Sequence, residues 1–290
     1  MMTEHAIELH QEDAQIFVPD GVSEDAALAR TTHLAVGAHQ DDLEIMAIDG
    51  ILQCFKRSER WFTGVVVTDG KGSPRKDTYA DYDDDAMGKV RTEEQKKAAV
   101  LGEFSAQILL DFPSSIVKER TNEDVVQDLV ALFRSCRPEI VYTHNLADKH
   151  STHVAVALDV IAALRQLPVE EQPAALYGCE VWRDLDWLVD DFKVSFDVSE
   201  HQDLQAALLS VFDSQIAGGK HYDLAAMGRR RAHATFSESH ATDEAEGFVF
   251  AMDLTPLIRS AELTPAGYVA GLIHNFTNDV VRRIDGLNRL

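Results

Sequence analysis

The chain has 290 residues, 45% of them hydrophobic, which is ample for a large core. Its 27 basic and 49 acidic side chains leave a net charge of −22. A surface of that sign repels phosphate backbones and anionic lipid, so no nucleic-acid or membrane partner is expected. No apolar run reaches the roughly 18 residues of a membrane span, and the acidic N-terminus lacks the basic-then-apolar pattern of a secretion signal. Cys54, Cys136 and Cys179 are odd in number and far apart, which reads as three small buried hydrophobes in a reducing, cytoplasmic setting.

Residues 1–30 read as an N-terminal arm. Residues 31–290 read as one domain, with a catalytic core to about 170 and a wall-forming part from about 171. The apolar run 34–38 predicts a buried strand. It runs directly into His39-Gln40-Asp41-Asp42, and Ile48, Ile51, Leu52 and Phe55 then recur at helical spacing. The second strand spans 64–68 and closes on Asp69-Gly70 and a turn over 71–74. Asp81, Asp83, Asp84 and Asp85 mark an exposed loop beside the site.

A third strand covers 108–110. Asn122 is placed to cap a helix carrying Val125, Val126, Leu129, Val130 and Phe133 on one face. A fourth strand, 140–143, ends near His144, Asp148, His150 and His153. The helix over 154–164 is apolar almost all round and therefore buried. This alternation predicts an α/β fold, a Rossmann-like and mostly parallel sheet with helices on both faces. After Pro173 the pattern changes to strands over 176–182 and 192–196, followed by one long helix through Leu204, Leu208, Leu209, Phe212 and Ile216. That half reads as an α+β elaboration on the same domain. The run Arg229-Arg230-Arg231 reads as a solvated helix face.

Loops at the carboxyl ends of such strands line the crevice where ligands bind. A catalytic zinc uses three ligands from His, Asp and Glu and keeps one position open. His39 and Asp42 can face one ion from a single loop, with His153 as the distant third ligand. Asp41, between the two, is placed to take a proton from water. His150 is placed to stabilise an oxyanion or protonate a leaving amine. His144 is equally readable as a hydrogen-bonded strand-end histidine. The set fits hydrolysis of an amide or related acyl bond, and one zinc per chain is expected, although the same donors suit other divalent transition metals. Because His39 and His153 must be neutral to bind it, metal and activity are expected to fall together below about pH 6.

At these residues the chain resembles the PIG-L/LmbE-like family of zinc-dependent N-acetylglucosaminide deacetylases. Members show His-Pro-Asp-Asp, often followed by Ala-Glu-Ile, and later His-x-Asp-His. This chain reads His39-Gln40-Asp41-Asp42-Leu43-Glu44-Ile45 and then His150-Ser151-Thr152-His153. Between them stand Val67-Thr68-Asp69-Gly70, Arg91-Thr92-Glu93-Glu94 and Leu101-Gly102. The resemblance covers 34–164. It implies zinc on His39, Asp42 and His153, Asp41 as general base, and His150 assisting at the tetrahedral intermediate.

Three departures stand out. Gln40 replaces the proline, and Met46, Ile48 and Asp49 replace glycines that follow the first motif. Thr152 replaces an aspartate that in relatives can orient the first histidine, a role that Asp148 is placed to fill. Asp69 and Arg91 are candidate substrate contacts, Asp69 through sugar hydroxyls. The expected substrate is an N-acylated amino-sugar conjugate. The alternatives are an amidase acting on a thiol-sugar conjugate and a non-catalytic metal- or sugar-binding protein of the same fold. A nucleotide-dependent oxidoreductase fits worst, because no G-x-G-x-x-G occurs. Homo-oligomers are common among relatives and are an expectation here.

Overall fold

The computed structural model describes residues 7–119 and 122–288. In chain order its strands are β1 (Gln15–Phe17), β2 (His33–Gly37), β3 (Phe62–Thr68), β4 (Ala106–Phe112), β5 (Ile140–His144), β6 (Ala175–Cys179), β7 (Lys193–Asp197) and β8 (Phe248–Asp253). They form one sheet in the order β1-β4-β3-β2-β5-β6-β8-β7. The five central strands, β4-β3-β2-β5-β6, are parallel, while β1 and β8 run antiparallel to their central neighbours. The protein is thus an α/β protein with a mixed, mostly parallel sheet.

Both faces of that sheet are covered, which is why its strands read as unbroken apolar runs. Leu34, Val36, Val65 and Val67 pack with Leu129, Phe133, Val156 and Val160 from the helices Asp124–Cys136 and Ser151–Arg165. Ala35 and Val66 point the other way, to Leu43, Ile51, Ala98 and Leu208. Leu34 pairs with Thr63 and Val141, so β2 lies between β3 and β5. The connections reverse direction on either side of β2. In sheets of this order, ligands bind outside the carboxyl ends of the strands where that reversal falls. Here those ends are Gly37 of β2 and His144 of β5.

Several expectations shift in detail. The N-terminal stretch supplies β1 and the helix Glu24–Ala29, whose Ser23 side chain caps it. Asp83, Asp84 and Asp85 are the start of an 18-residue helix, Asp84–Leu101, with Asp83 accepting from the Ala86 N–H at 2.7 Å. Clustered carboxylates at that end satisfy orphan amides and oppose the helix dipole, so the acidic run is a helix start. Asn122 accepts from the Asp124 N–H at 2.7 Å, but the N-cap position is Glu123, whose side chain makes no capping bond, so Asn122 stands one residue ahead of the expected cap. The helix expected from Leu204 to Ile216 is broken into Gln202–Ser210 and Asp213–Ile216. Strand β8 carried no clear sequence signal.

The arginine run is not a solvated face. It lies on the helix Tyr222–Phe236, where Arg230 is 3% exposed and donates to the backbone carbonyls of Glu44 (2.7 Å) and Ile45 (3.3 Å) and to Gln205 Oε1 (2.9 Å). Burial and the neighbouring Arg229 pull its pKa down to about 9. Arg230 thereby ties the C-terminal half to the short helix Asp42–Met46, which begins inside the site. Arg230→Ala strands those buried carbonyls and is expected to cost about 3 kcal/mol. The measurement is the urea midpoint, which should fall at unchanged slope.

Candidate active site

Strand β2 ends at Gly37, where an added Cβ would lie 3.1 Å from Asp42 Cβ and from Leu43 Cδ2. The chain therefore folds back tightly over its own strand end. Asp41 follows at φ 91°, ψ −27°, a left-handed conformation that Asp tolerates better than most residues. Its backbone N–H donates to Gln95 Oε1 at 3.2 Å. Gln40 donates to the Thr68 carbonyl at 3.2 Å, a tie to β3 that a proline at this position could not make. Gly70, at φ +68°, lets the next loop approach: a Cβ there would lie 2.4 Å from Gln40 Oε1.

Three ligand-type atoms converge beneath this turn. His39 Nδ1, Asp42 Oδ2 and His153 Nε2 stand 3.3 Å (His39 to Asp42), 3.4 Å (His153 to Asp42) and 3.2 Å (His39 to His153) apart. Tetrahedral ligands at roughly 2.0–2.2 Å from zinc stand about 3.3–3.6 Å apart. A carboxylate oxygen and two imidazole nitrogens facing one point repel unless a proton or cation lies between them. The donor set therefore fits a divalent metal.

His144, stacked on His153 at 3.8 Å, has its Nε2 occupied by the Ala38 N–H at 2.8 Å, which leaves that lone pair unavailable to an ion. It is the hydrogen-bonded strand-end histidine. Burial would raise the Asp42 carboxyl, but the imidazoles of His153 and His144 hold it well below the carboxylate range. Burial pushes His153 down to about 4. That ligand is neutral well below pH 6, so proton competition at His153 begins lower than the free-imidazole value implies.

Asp41 is 6% exposed and lies beside the cluster. Burial pushes its carboxyl up to about 6 against the pull of Arg91, with Asp42 adding to the rise. Arg91 is 2% exposed; its Nη1 donates to Asp41 Oδ2 at 3.1 Å and its Nη2 to the Gln40 carbonyl. Arg91 lines the cavity, as expected of a substrate contact, but its guanidinium is committed to Asp41. His150 stands edge-on to His39 with ring centroids 4.9 Å apart. Burial and then His39 lower its pKa.

Two expected roles change. Asp148 does not orient the His150 ring. Its Oδ1 accepts the His150 backbone N–H at 2.9 Å, and its Oδ2 accepts the Trp182 N–H at 3.1 Å and lies 3.6 Å from His153 Nδ1. The carboxylate thus faces His153 Nδ1 at ion-pair distance, on the side from which a carboxylate can steady a ligand imidazole. Asp148→Asn is expected to weaken zinc affinity roughly 10–100-fold, measurable by competition against a chromophoric chelator. Asp69 accepts the Lys71 N–H at 3.1 Å, closing a turn, and is not among the cavity-lining residues. The Asp-Gly pair is there for the turn.

The cavity above the cluster has a volume of about 640 Å³. His39, Asp41, Asp42 and His150 lie on one side of its chemistry. Its remaining lining includes Ile45, Val181, Trp182, Lys220, Tyr222 and Arg229. The last five come from the C-terminal half, and periodicity alone gave no sign of them.

Fold and site together define an α/β protein with a histidine–carboxylate cluster at the reversal point of its sheet. Residues 34–164 match the family model described as PIG-L: GlcNAc-PI de-N-acetylase. No curated protein matches the chain. Among solved structures, the 4-carboxy-2-hydroxymuconate hydratase of Pseudomonas putida KT2440 is similar at 18% identity and TM-score 0.60, over 77% of this chain and 96% of that one. The N,N'-diacetylchitobiose deacetylase of Pyrococcus horikoshii is similar at 16% identity and TM-score 0.55, over 76% and 83%. The A40926 pseudoaglycone deacetylase is similar at 17% and 0.57, over 77% and 97%. At these identities the likeness establishes the shared fold. Among the described residues, no helix is long and apolar enough to cross a membrane.

Proposed function

We propose that the protein is a zinc-dependent hydrolase that removes an acetyl or other acyl group from the nitrogen of an amino-sugar conjugate. The observation that carries this reading is a buried, Arg91-clamped carboxylate, Asp41, beside three converging ligand atoms. A binding protein would need the ligand atoms but not the base. The PIG-L match over 34–164 and the deacetylases among the similar folds support acyl–nitrogen chemistry.

His39, Asp42 and His153 would hold the ion. When bound, it would supply Lewis-acid polarisation of the amide carbonyl and lower the pKa of water. Arg91 occupies Asp41 Oδ2, so Oδ1 is the atom that accepts the proton of the attacking water. At pH 7 a carboxyl near 6 is mostly ionised, yet basic enough to take that proton. His150 faces the same cavity and would carry a proton to the leaving amine. The apolar wall of Ile45, Val181 and Trp182 limits water around the reacting bond.

The test is acetate release by zinc-loaded protein from N-acetylglucosamine as the free sugar, a lipid-linked sugar and a thiol conjugate. Acetate from any of them supports the reading, and the preferred one names the conjugate. Bound zinc without acetate overturns it. A second reading, hydration of an unsaturated carboxylic acid, is favoured by the similarity to the hydratase. It predicts loss of the conjugated chromophore of such an acid instead.

A further inference from the structure

We propose that the cavity takes a substrate bearing an anionic group, a carboxylate or a phosphate, held by Lys220 and Arg229 on its C-terminal wall. This rests on reading the cavity as the hydrolase's substrate site. The chain carries 49 acidic and 27 basic side chains, yet the cavity lining inverts that balance. Lys118, Lys220, Arg229 and Arg91 face it, against only Asp41 and Asp42. Both of those carboxylates are already engaged, by Arg91 and by the histidine cluster.

Lys220 and Arg229 are not spent on the fold. Among the described residues, neither has a carboxylate partner within ion-pair distance. Among the described residues the Lys220 ammonium makes no hydrogen bond, and it lies 5.0 Å from the centre of the Trp182 ring. Arg229 gives one Nη1 donor to the Val181 carbonyl at 2.7 Å, which fixes the plane of the guanidinium. A guanidinium has five donors, and its remaining edge matches a carboxylate or phosphate geometrically. Trp182 meets Tyr222 edge-on with centroids 5.8 Å apart. An aromatic pair flanked by two unpaired cations suits a ring with an anionic substituent. In a protein of net charge −22, cations gathered in a concave site focus the field on anions that the rest of the surface repels.

The test is calorimetric titration of the full-length, zinc-loaded protein with three aryl glycosides of N-acetylglucosamine. They carry a 4-carboxylate, a 4-phosphate or, as the neutral isostere, a 4-carboxamide. At low salt, at least one anionic probe should bind roughly tenfold tighter than the carboxamide. That advantage should shrink as salt rises past the screening range. In the double variant Lys220→Gln, Arg229→Gln the ratio should fall to about one. Lys220→Gln alone, which removes no hydrogen bond of the fold, should cut it about threefold. Which anionic probe wins distinguishes the carboxylate from the phosphate source. Equal binding of charged and neutral probes to the wild type, or a ratio untouched by Lys220→Gln, overturns the proposal. Acetate release measured on the same samples separates the two readings. A charged-probe advantage without acetate leaves the anion site standing and removes the hydrolase. Acetate from all three at equal affinity does the reverse.

Discussion

Asp41→Asn is expected to lower kcat by about 10²–10⁴-fold, the range for losing a general base, while zinc stays at one per chain. The change is nearly isosteric. Asn tolerates the left-handed backbone that Asp41 adopts at φ 91°, and its amide oxygen still accepts from Arg91. Asp41 is not one of the three converging atoms, so the metal should be unaffected. The wild type should also show an acid limb in kcat, because the base must be ionised. Burial pushes the carboxyl up to about 6; a cation bound beside it pulls the inflection lower. Activity is then full above that inflection and lost as pH falls through it. Arg91→Gln removes a cation that favours the ionised form, so its limb should move to higher pH. The pH–kcat profiles of the three proteins, read beside their zinc content, check this. A variant limb that does not move would mean Arg91 only braces the loop.

The part of this architecture that was legible in the sequence is the part governed by local rules. Buried parallel strands are continuous apolar runs, so β2, β3, β4 and β5 stand out in the sequence, and the loops that follow them are marked as site loops. Leu34 and Val36 facing one layer and Ala35 the other is the strand period itself. The converging atoms of His39, Asp42 and His153 were readable because each follows or flanks such a strand. What was not legible depends on contacts far apart in the chain. Asp148 is two residues from His150, yet its carboxylate faces His153. Arg91 looked like a pocket residue, and only the fold reveals that it is bound to Asp41, 50 residues away. Arg229, Arg230 and Arg231 are neighbours in sequence with three different fates: one lines the cavity, one is buried under Glu44 and Ile45, and one reaches Gln202 on the surface. A charge run carries no information about which of its members finds a partner. Lys220 and Tyr222 are similarly silent until the C-terminal half closes over the cluster.

The second large effect concerns the ion itself, because the histidines allow two arrangements. The ring nitrogens of His39, His150 and His153 lie within 4.8 Å of one another, and so do those of His144 and His153 and a carboxylate oxygen of Asp42. A metal on three imidazoles would carry its full double charge into the cavity, whereas a metal on two imidazoles and Asp42 would be partly neutralised. Asp42 is 2% exposed, held ionised by the imidazoles around it, and its Oδ2 also accepts the His39 N–H at 2.7 Å. That bond aims His39 and Asp42 at the same point. Asp42→Asn is therefore expected to reduce zinc affinity by more than the roughly 10–100-fold assigned to Asp148→Asn, with turnover falling in step. His150→Ala should keep the metal and lose rate alone. Zinc also stabilises whatever fold binds it, by about 4 kcal/mol at a thousandfold excess over Kd. The rise in melting temperature on adding zinc should thus vanish in Asp42→Asn and persist in His150→Ala. The opposite pattern would move the ion onto the three histidines and leave Asp42 as the residue that shapes the turn.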